Sequence, residues 1–239
     1  MKKLLVAVSF YTRIPINIKS EVSEDEFYDS MRLIPIVGLL IGAALYLLNL
    51  LLKNVDGDIR GLTLTFAYIL ISGGLHIDGF MDSMDGLLSN RDREKVFEIM
   101  KDSRVGAFGV LGIIVLFALL TTFLKYADPF IILIMPVAGR SGAIISASLT
   151  SYAKERLDLG GRFVQETKLK HAFISILFTV ALALVFGIKY LIPVGFSIVF
   201  AFISTKWIER KIGGTTGDTI GMIIETTQAA FIISAYFLM

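Results

Sequence analysis

The chain has 239 residues, of which 55% are hydrophobic and 18% charged, and its mean hydropathy is +0.73. This composition excludes a soluble globular protein and predicts an all-α, polytopic helical bundle in a lipid bilayer. The chain has no cysteine, which excludes disulfide bonds, thiol catalysis and thiolate metal sites. The net charge of +2 gives no sign of a nucleic-acid partner, and we expect none.

The amino-terminal segment, residues 1–18, begins with Lys2 and Lys3 and continues with a short apolar run. The run is too short to cross a bilayer, and no small-residue cleavage site follows it. We therefore expect an interfacial or re-entrant segment and no cleaved signal peptide.

Seven later runs are apolar and close to the length of about 17–25 residues that a spanning helix needs. They lie near 33–52, 61–76, 105–124, 129–149, 171–188, 190–205 and 219–238. If all seven span, 18 of the 23 lysine and arginine residues fall on the side of the amino terminus and only 4 on the other. Because cytoplasmic loops are enriched in these residues, we predict one multi-pass domain in the cytoplasmic membrane with its amino terminus inside the cell. Only residues 187–189 separate the fifth and sixth runs. It therefore stays open whether these runs are two full spans or one broken hairpin that enters the membrane only part-way.

An acidic cluster follows the second run, where Asp78, Asp82 and Asp85 occur within eight residues. On a helical wheel the three carboxylates share one narrow face, and an apolar face lies behind them. The pattern predicts an amphipathic helix in a cytoplasmic loop, residues 77–104. The acids there would repel one another unless a cation lies against them. Oxygen ligands favour a hard cation such as Mg²⁺, and the alternative is a solvated acidic helix end.

A basic motif, Lys101-Asp102-Ser103-Arg104, ends this loop at the entrance of the third run. Lysine, arginine and serine at a helix start suit a phosphate group, although a basic flank of a spanning helix is the alternative. Gly106 and Gly109 favour close approach by a ligand or a neighbouring helix.

A second candidate phosphate motif, which includes Gly214 and Thr215, precedes the last run. Asp218 and Glu225 follow it and share a helix face, with Glu225 roughly 10 Å deeper in the membrane. A carboxylate at that depth needs a partner, and Arg140 in the fourth run is the candidate. The pair can be structural, or it can serve a substrate or a metal.

Each of the two histidines has its own interpretation. His76 lies opposite the acidic face and can be a general base, an orienting group or a buried structural residue. His171 lies at the entrance of a span beside Lys170, and we interpret it as a residue at the membrane interface. Together these motifs favour metal-assisted phosphoryl transfer at a membrane-embedded site that faces the cytoplasm.

The motifs also resemble those of a known family, cobalamin synthase, over essentially the whole chain. The matching stretches are Gly73-Gly74-Leu75-His76-Ile77-Asp78-Gly79 with Asp82 and Asp85-Gly86, Lys101-Asp102-Ser103-Arg104-Val105-Gly106, Gly213-Gly214-Thr215-Thr216-Gly217-Asp218, and Phe10-Tyr11-Thr12-Arg13-Ile14-Pro15.

The resemblance implies the joining of adenosylcobinamide-GDP to α-ribazole or its 5′-phosphate, with Mg²⁺ required and GMP released. Carried onto this chain, it implies metal ligation by Asp78, Asp82 and Asp85, with one of these or His76 accepting the hydroxyl proton. It further implies that Lys101, Arg104 and Arg140 hold the diphosphate, and that Asp218 and Glu225 complete the acidic pocket. Whether the protein is a monomer or a homo-oligomer stays open.

Two other functions compete with this one. A CDP-alcohol phosphotransferase also uses spaced aspartates at the cytoplasmic ends of membrane helices, but two further Asp four residues apart, typical of that class, are missing here. A cation-coupled transporter would use Glu225 and Arg140 as pathway residues. It would not need three acids and two cationic, glycine-containing motifs gathered at one surface.

Overall fold

A computed structural model describes residues 1–239, which form twelve α-helices and no strand. A short 3-10 helix, Ile188–Tyr190, precedes the eleventh α-helix. In chain order the helices are α1 (Lys2–Tyr11), α2 (Glu24–Met31), α3 (Ile34–Leu51), α4 (Gly57–Ser72), α5 (Leu75–Leu88), α6 (Arg93–Lys101), α7 (Ala107–Tyr126), α8 (Pro129–Leu149), α9 (Leu159–Glu166), α10 (Leu169–Phe186), α11 (Leu191–Ile212) and α12 (Gly217–Leu238).

The predicted polytopic bundle is confirmed. Six helices (α3, α7, α8, α10, α11 and α12) are long and apolar enough to cross a membrane, and the bent pair of α4 and α5 raises the number to seven if it counts as one span. The fifth and sixth predicted runs are two separate helices, α10 and α11, and each is long enough to span.

The second span differs from the prediction because its helix ends at Ser72 instead of continuing to residue 76. Gly73 and Gly74 both have positive φ, 72° and 78°, a conformation that glycine adopts without the steric cost paid by other residues. The two glycines turn the chain by 97° between α4 and α5. The acidic helix therefore leaves the direction of the span and lies across the bundle.

At the centre of the bundle stands α8, where every residue from Ile131 to Ala147 is buried. It packs against α3, α10, α11 and α12. Close packing against α3 needs small residues: a Cβ on Gly38 would come within 2.6 Å of the Pro136 carbonyl oxygen. This rigid centre fixes the helices that carry the polar residues described below.

All five short connecting helices belong to one end of the bundle, which we call the polar end. The chain enters α3, α7, α10 and α12 there, so α1 and α2, α5 and α6, and α9 lie at that end. α1 packs against α2 and α3 with its buried face, and its place at the membrane interface stays a prediction. The opposite end carries short turns and the 3-10 helix. Lys125 pairs with Asp58 there at 2.6 Å.

Candidate active site

Two helices that carry aspartates, α5 and α12, cross at the polar end, and a glycine on each helix lets the two backbones touch. A Cβ on Gly79 would come within 2.8 Å of the Asp218 Cα, and a Cβ on Gly221 would come within 2.8 Å of the His76 carbonyl oxygen. Since only glycine permits this approach, the two backbones are in direct contact. The crossing brings the acidic face of α5 next to the first turn of α12.

The acids at this crossing are Asp78, Asp82 and Asp218. Asp78 is exposed, and the other two are half-buried. Burial, together with the carboxylates of Asp78, Asp218 and Asp85, raises the pKa of Asp82 to about 6. The carboxylates of the two helices are therefore close enough for their charges to act on one another.

A cation absent from the predicted site, Lys154, lies against these acids. Its Nζ is 3.3 Å from Asp218 Oδ2 and 3.8 Å from Asp158 Oδ2. Sequence reasoning counted Lys154 only among the basic residues of a cytoplasmic loop. Nothing in the spacing along the chain links residues 154 and 158 to residue 218, so only the folded structure identifies them.

The motif before α12 explains how Lys154 reaches the site. The backbone N–H of Thr215 donates to the Ser151 carbonyl at 3.0 Å, and the Ala153 N–H donates to the Thr215 carbonyl at 2.9 Å. A Cβ on Gly214 would collide with Ser151, so the two segments are in backbone contact. These bonds tie the loop that carries Lys154 to the helix that carries Asp218. Phosphate binding by Gly214 and Thr215 stays a prediction.

Asp85 has a structural role in this geometry that the sequence did not suggest. One carboxylate oxygen accepts from the Gly106 N–H at 2.7 Å and the other from the Gly109 N–H at 2.9 Å. The carboxylate thus caps the first turn of α7, where backbone N–H groups lack partners within the helix. Both oxygens already accept hydrogen bonds, so we leave Asp85 out of the ligand set proposed below.

The basic motif at residues 101–104 lies on the surface between α6 and α7. Arg104 binds Asp102 through two side-chain hydrogen bonds, at 3.0 and 2.7 Å, and the Arg104 guanidinium holds the pKa of Asp102 down at about 2. Lys101 and Ser103 are exposed. These side chains are accessible to a ligand, and phosphate binding by them stays a prediction.

Arg140, the predicted partner of Glu225, does not contact it directly, because Gln228 lies between them. Arg140 Nη1 donates to Gln228 Oε1 at 3.1 Å, and Gln228 Nε2 donates to Glu225 Oε2 at 3.1 Å. Tyr68 completes the set by donating to Glu225 Oε1 at 2.6 Å. All four side chains are fully buried. They form a polar network inside the bundle, which explains how a carboxylate is tolerated there.

The two histidines also have defined environments. His76 is buried beside Tyr11, with ring centroids 5.7 Å apart, and its Nδ1 has no hydrogen-bond partner. Burial, with Arg140 nearby, lowers the pKa of His76 to about 3, which makes it a weak proton acceptor. At the start of α10, the Nδ1 of His171 accepts from the Lys168 N–H at 2.9 Å.

The donor set at the crossing suits a hard divalent cation. No three carboxylate or imidazole groups converge closely enough to hold a metal ion between them. Mg²⁺ is commonly held by one or two carboxylates and completed by water and substrate phosphates. Asp78, Asp82 and Asp218 offer such oxygens, and a cation there would offset their mutual repulsion, which together with the larger effect of burial raises the pKa of Asp82.

Fold and site together define a polytopic helical membrane protein with a cluster of carboxylates and one lysine at its polar end. The family model for cobalamin-5-phosphate synthase matches residues 3–236, so the chain belongs to that family. The resemblance inferred from the motifs is confirmed, and the protein is a transferase.

Curated relatives match over nearly the whole chain. The chain is 42% identical to the adenosylcobinamide-GDP ribazoletransferase of Alkaliphilus oremlandii, covering 100% of this chain and 98% of that protein. It is 38% identical to the proteins of the same name in Clostridium acetobutylicum, with 98% and 96% covered, and Acetivibrio thermocellus, with 99% and 98% covered. No solved structure matches the chain.

Proposed function

We propose that this protein transfers the adenosylcobinamide phosphate group of adenosylcobinamide-GDP to α-ribazole or its 5′-phosphate. The products are adenosylcobalamin or its 5′-phosphate, and GMP. The observation that carries the proposal is the crossing of α5 and α12, which gathers Asp78, Asp82 and Asp218 beside Lys154 in a member of this family.

In the reaction, the ribose 3′-hydroxyl oxygen attacks the phosphorus nearer cobinamide, and the bond from that phosphorus to the GMP oxygen breaks. GMP leaves with the bond electrons, and the hydroxyl proton passes to a carboxylate. Phosphoryl transfers of this kind depend on alignment and charge neutralisation more than on a covalent nucleophile. The chain has no cysteine, and the mechanism needs none.

We assign Asp78, Asp82 and Asp218 as the carboxylates that would bind Mg²⁺, one or two at a time, with water and substrate phosphates completing its coordination. When bound, the ion supplies the positive charge that offsets the diphosphate and the carboxylates together. Lys154 holds Asp218 in place and adds a second positive charge beside it. We assign Asp82 as the proton acceptor, because His76 is buried and its pKa is too low for that role.

We also propose that the polar end faces the cytoplasm. The basic residues of the loops cluster at that end, as is typical of cytoplasmic loops. The basic motif at 101–104 and the loop that carries Lys154 belong to the same end.

The test is a GMP-release assay on the purified full chain in detergent, with adenosylcobinamide-GDP, α-ribazole and Mg²⁺. Chelation of divalent cations should stop GMP release, and added Mg²⁺ should restore it. Asp78→Asn should lower the rate at least about a hundredfold, since it removes a charge that the reaction uses. Asp58→Asn, at the opposite end, is the matched control and should keep the wild-type rate. Near-normal turnover by the folded Asp78→Asn variant would remove Asp78 from the mechanism.

A further inference from the structure

A small cavity adjoins the acidic crossing and shares Asp78 and Asp218 with it. Its volume is about 190 Å³, and it is lined by α1, α5, α9 and α12, together with the end of α2 and the start of α3. Both carboxylates line it, with Asp78 exposed and Asp218 half-buried, while the rest of its lining is mostly apolar or glycine. A group bound in the cavity would therefore lie directly beside the reacting centre.

Aromatic side chains from two helices line the cavity. Phe10 and Tyr11 come from α1, and Phe163 comes from α9. Tyr11 and Phe163 are each only 4% exposed. Phe10 packs edge-on against Tyr11, with ring centroids 4.8 Å apart, and against Phe27 at 5.2 Å, which holds its ring in place. The walls are thus preformed and suited to a flat, apolar ring.

One wall is made of backbone instead of side chains. A Cβ on Gly160 would come within 2.6 Å of the Gly217 Cα, so α9 and α12 are in contact where both line the cavity. Peptide groups at such a contact are flat and leave room for a planar ligand.

The cavity also has one polar group without a partner. His76 lines it, is 6% exposed, and its Nδ1 makes no hydrogen bond. A buried ring nitrogen without a partner costs stability unless a ligand or water satisfies it. An aromatic heterocycle with a ring nitrogen supplies such a partner, whereas a lipid acyl chain does not.

The volume of the cavity and the charges in its lining narrow the range of possible ligands further. Pockets for drug-sized ligands have volumes of roughly 300–1,000 Å³. At about 190 Å³, this cavity holds one ring system and not a whole nucleotide donor. The lining contains no lysine or arginine that would pair with an anionic lipid head group.

We infer that this cavity binds the planar, bicyclic aromatic base of the acceptor nucleoside, which places the attached ribose between Asp78 and Asp218. This assignment rests on the proposed function, because it takes α-ribazole as the acceptor. The rings of Phe163 and Tyr11 contact the base, and the Nδ1 of His76 contacts its polar edge. The cavity thereby positions the attacking hydroxyl and selects the acceptor.

The test compares Michaelis constants for the two substrates in the purified full chain. Phe163→Ala should raise the KM for α-ribazole about tenfold, the effect of losing one base-stacking aromatic ring. The KM for adenosylcobinamide-GDP should change less than about twofold. Leu111→Ala, in a separate apolar groove beside α7, is the matched control and should leave both constants unchanged. Phe163→Leu keeps an apolar side chain and serves if the alanine variant fails to fold.

Binding of free benzimidazole to the wild-type chain, followed by saturation-transfer NMR, gives a readout independent of turnover. Phe163→Leu should weaken the signal and Leu111→Ala should not. If Phe163→Ala or Phe163→Leu raises only the KM for adenosylcobinamide-GDP, the cavity holds the guanine of the donor and the inference is wrong. Unchanged constants for both substrates would also overturn it. If the wild-type chain releases no GMP yet binds benzimidazole in this cavity, the proposed function fails and the base site stands.

Discussion

Two aspartates on one helix, seven residues apart, have different surroundings. Asp78 is exposed at the rim of the acidic crossing, whereas Asp85 is 8% exposed and accepts from two backbone N–H groups of α7. The carboxylate of Asp85 ties α5 to α7 and so helps hold the acidic face in position. Residue type and spacing alone did not distinguish the two.

Asp85→Ala should therefore destabilise the protein. It leaves the N–H groups of Gly106 and Gly109 without a partner, and the loss of such a buried acceptor costs about 1–3 kcal/mol. Thermal unfolding of the purified protein in detergent measures the change. Asp78→Ala is the matched control and should unfold near the wild-type temperature, because Asp78 is exposed. Equal melting temperatures for Asp85→Ala and the wild type would contradict the capping role.

At the scale of helices, the contact of α5 with α12 depends on glycine at positions 79 and 221. Backbone contact leaves little freedom for the helices to shift, so the separation between Asp78 and Asp218 is set by main-chain geometry. The site is consequently sensitive to a single methyl group placed at the crossing.

Gly79→Ala should separate the two helices and reduce both stability and GMP release. Its Cβ would meet the Asp218 Cα at 2.8 Å, a backbone atom that cannot move aside alone. Overpacking of this kind costs about 1–3 kcal/mol. Thermal unfolding and the GMP-release assay measure the two effects.

The control for this crossing is Gly195→Ala on α11, where a Cβ meets nothing within 4 Å. It should keep the wild-type activity and gain slightly in stability from the higher helix propensity of alanine. A Gly79→Ala protein that behaves like Gly195→Ala would show that the crossing tolerates a side chain.

The sequence predicted the helices and the acidic face well, because apolar length and helical periodicity are local properties. It placed Asp78, Asp82 and Asp218 in one site mainly through the resemblance to a family. It missed the partner of Asp85 and the approach of Lys154, since each depends on contacts between distant segments. Gln228 was missed for the same reason. The bend was also missed, although the Gly73-Gly74 pair is a local turn signal.

For the whole molecule, the chain alternates between a polar end with five short helices and an opposite end with short turns. The proposed orientation places the polar end in the cytoplasm. The absence of cysteine makes this orientation directly testable, because any introduced thiol is the only one in the chain.

We expect Asn54→Cys, in the turn between α3 and α4, to react with a membrane-impermeant maleimide in intact cells. Glu94→Cys, on α6 at the polar end, should react only after the membrane is permeabilised. Both positions are exposed, so the difference reports the side of the membrane and not burial. The reverse labelling pattern would place the acidic crossing outside the cytoplasm.

The 97° bend at Gly73 and Gly74 leaves α4 with 16 residues, a length of roughly 24 Å at 1.5 Å per residue. The hydrocarbon core of a bilayer is about 30 Å thick, so α4 produces a negative hydrophobic mismatch. Local thinning of the bilayer is one way to accommodate so short a helix, and it would lower the water boundary toward α5. Under the proposed function, such an aqueous depression would let the amphiphilic donor keep its apolar part in lipid while its diphosphate reaches the carboxylates.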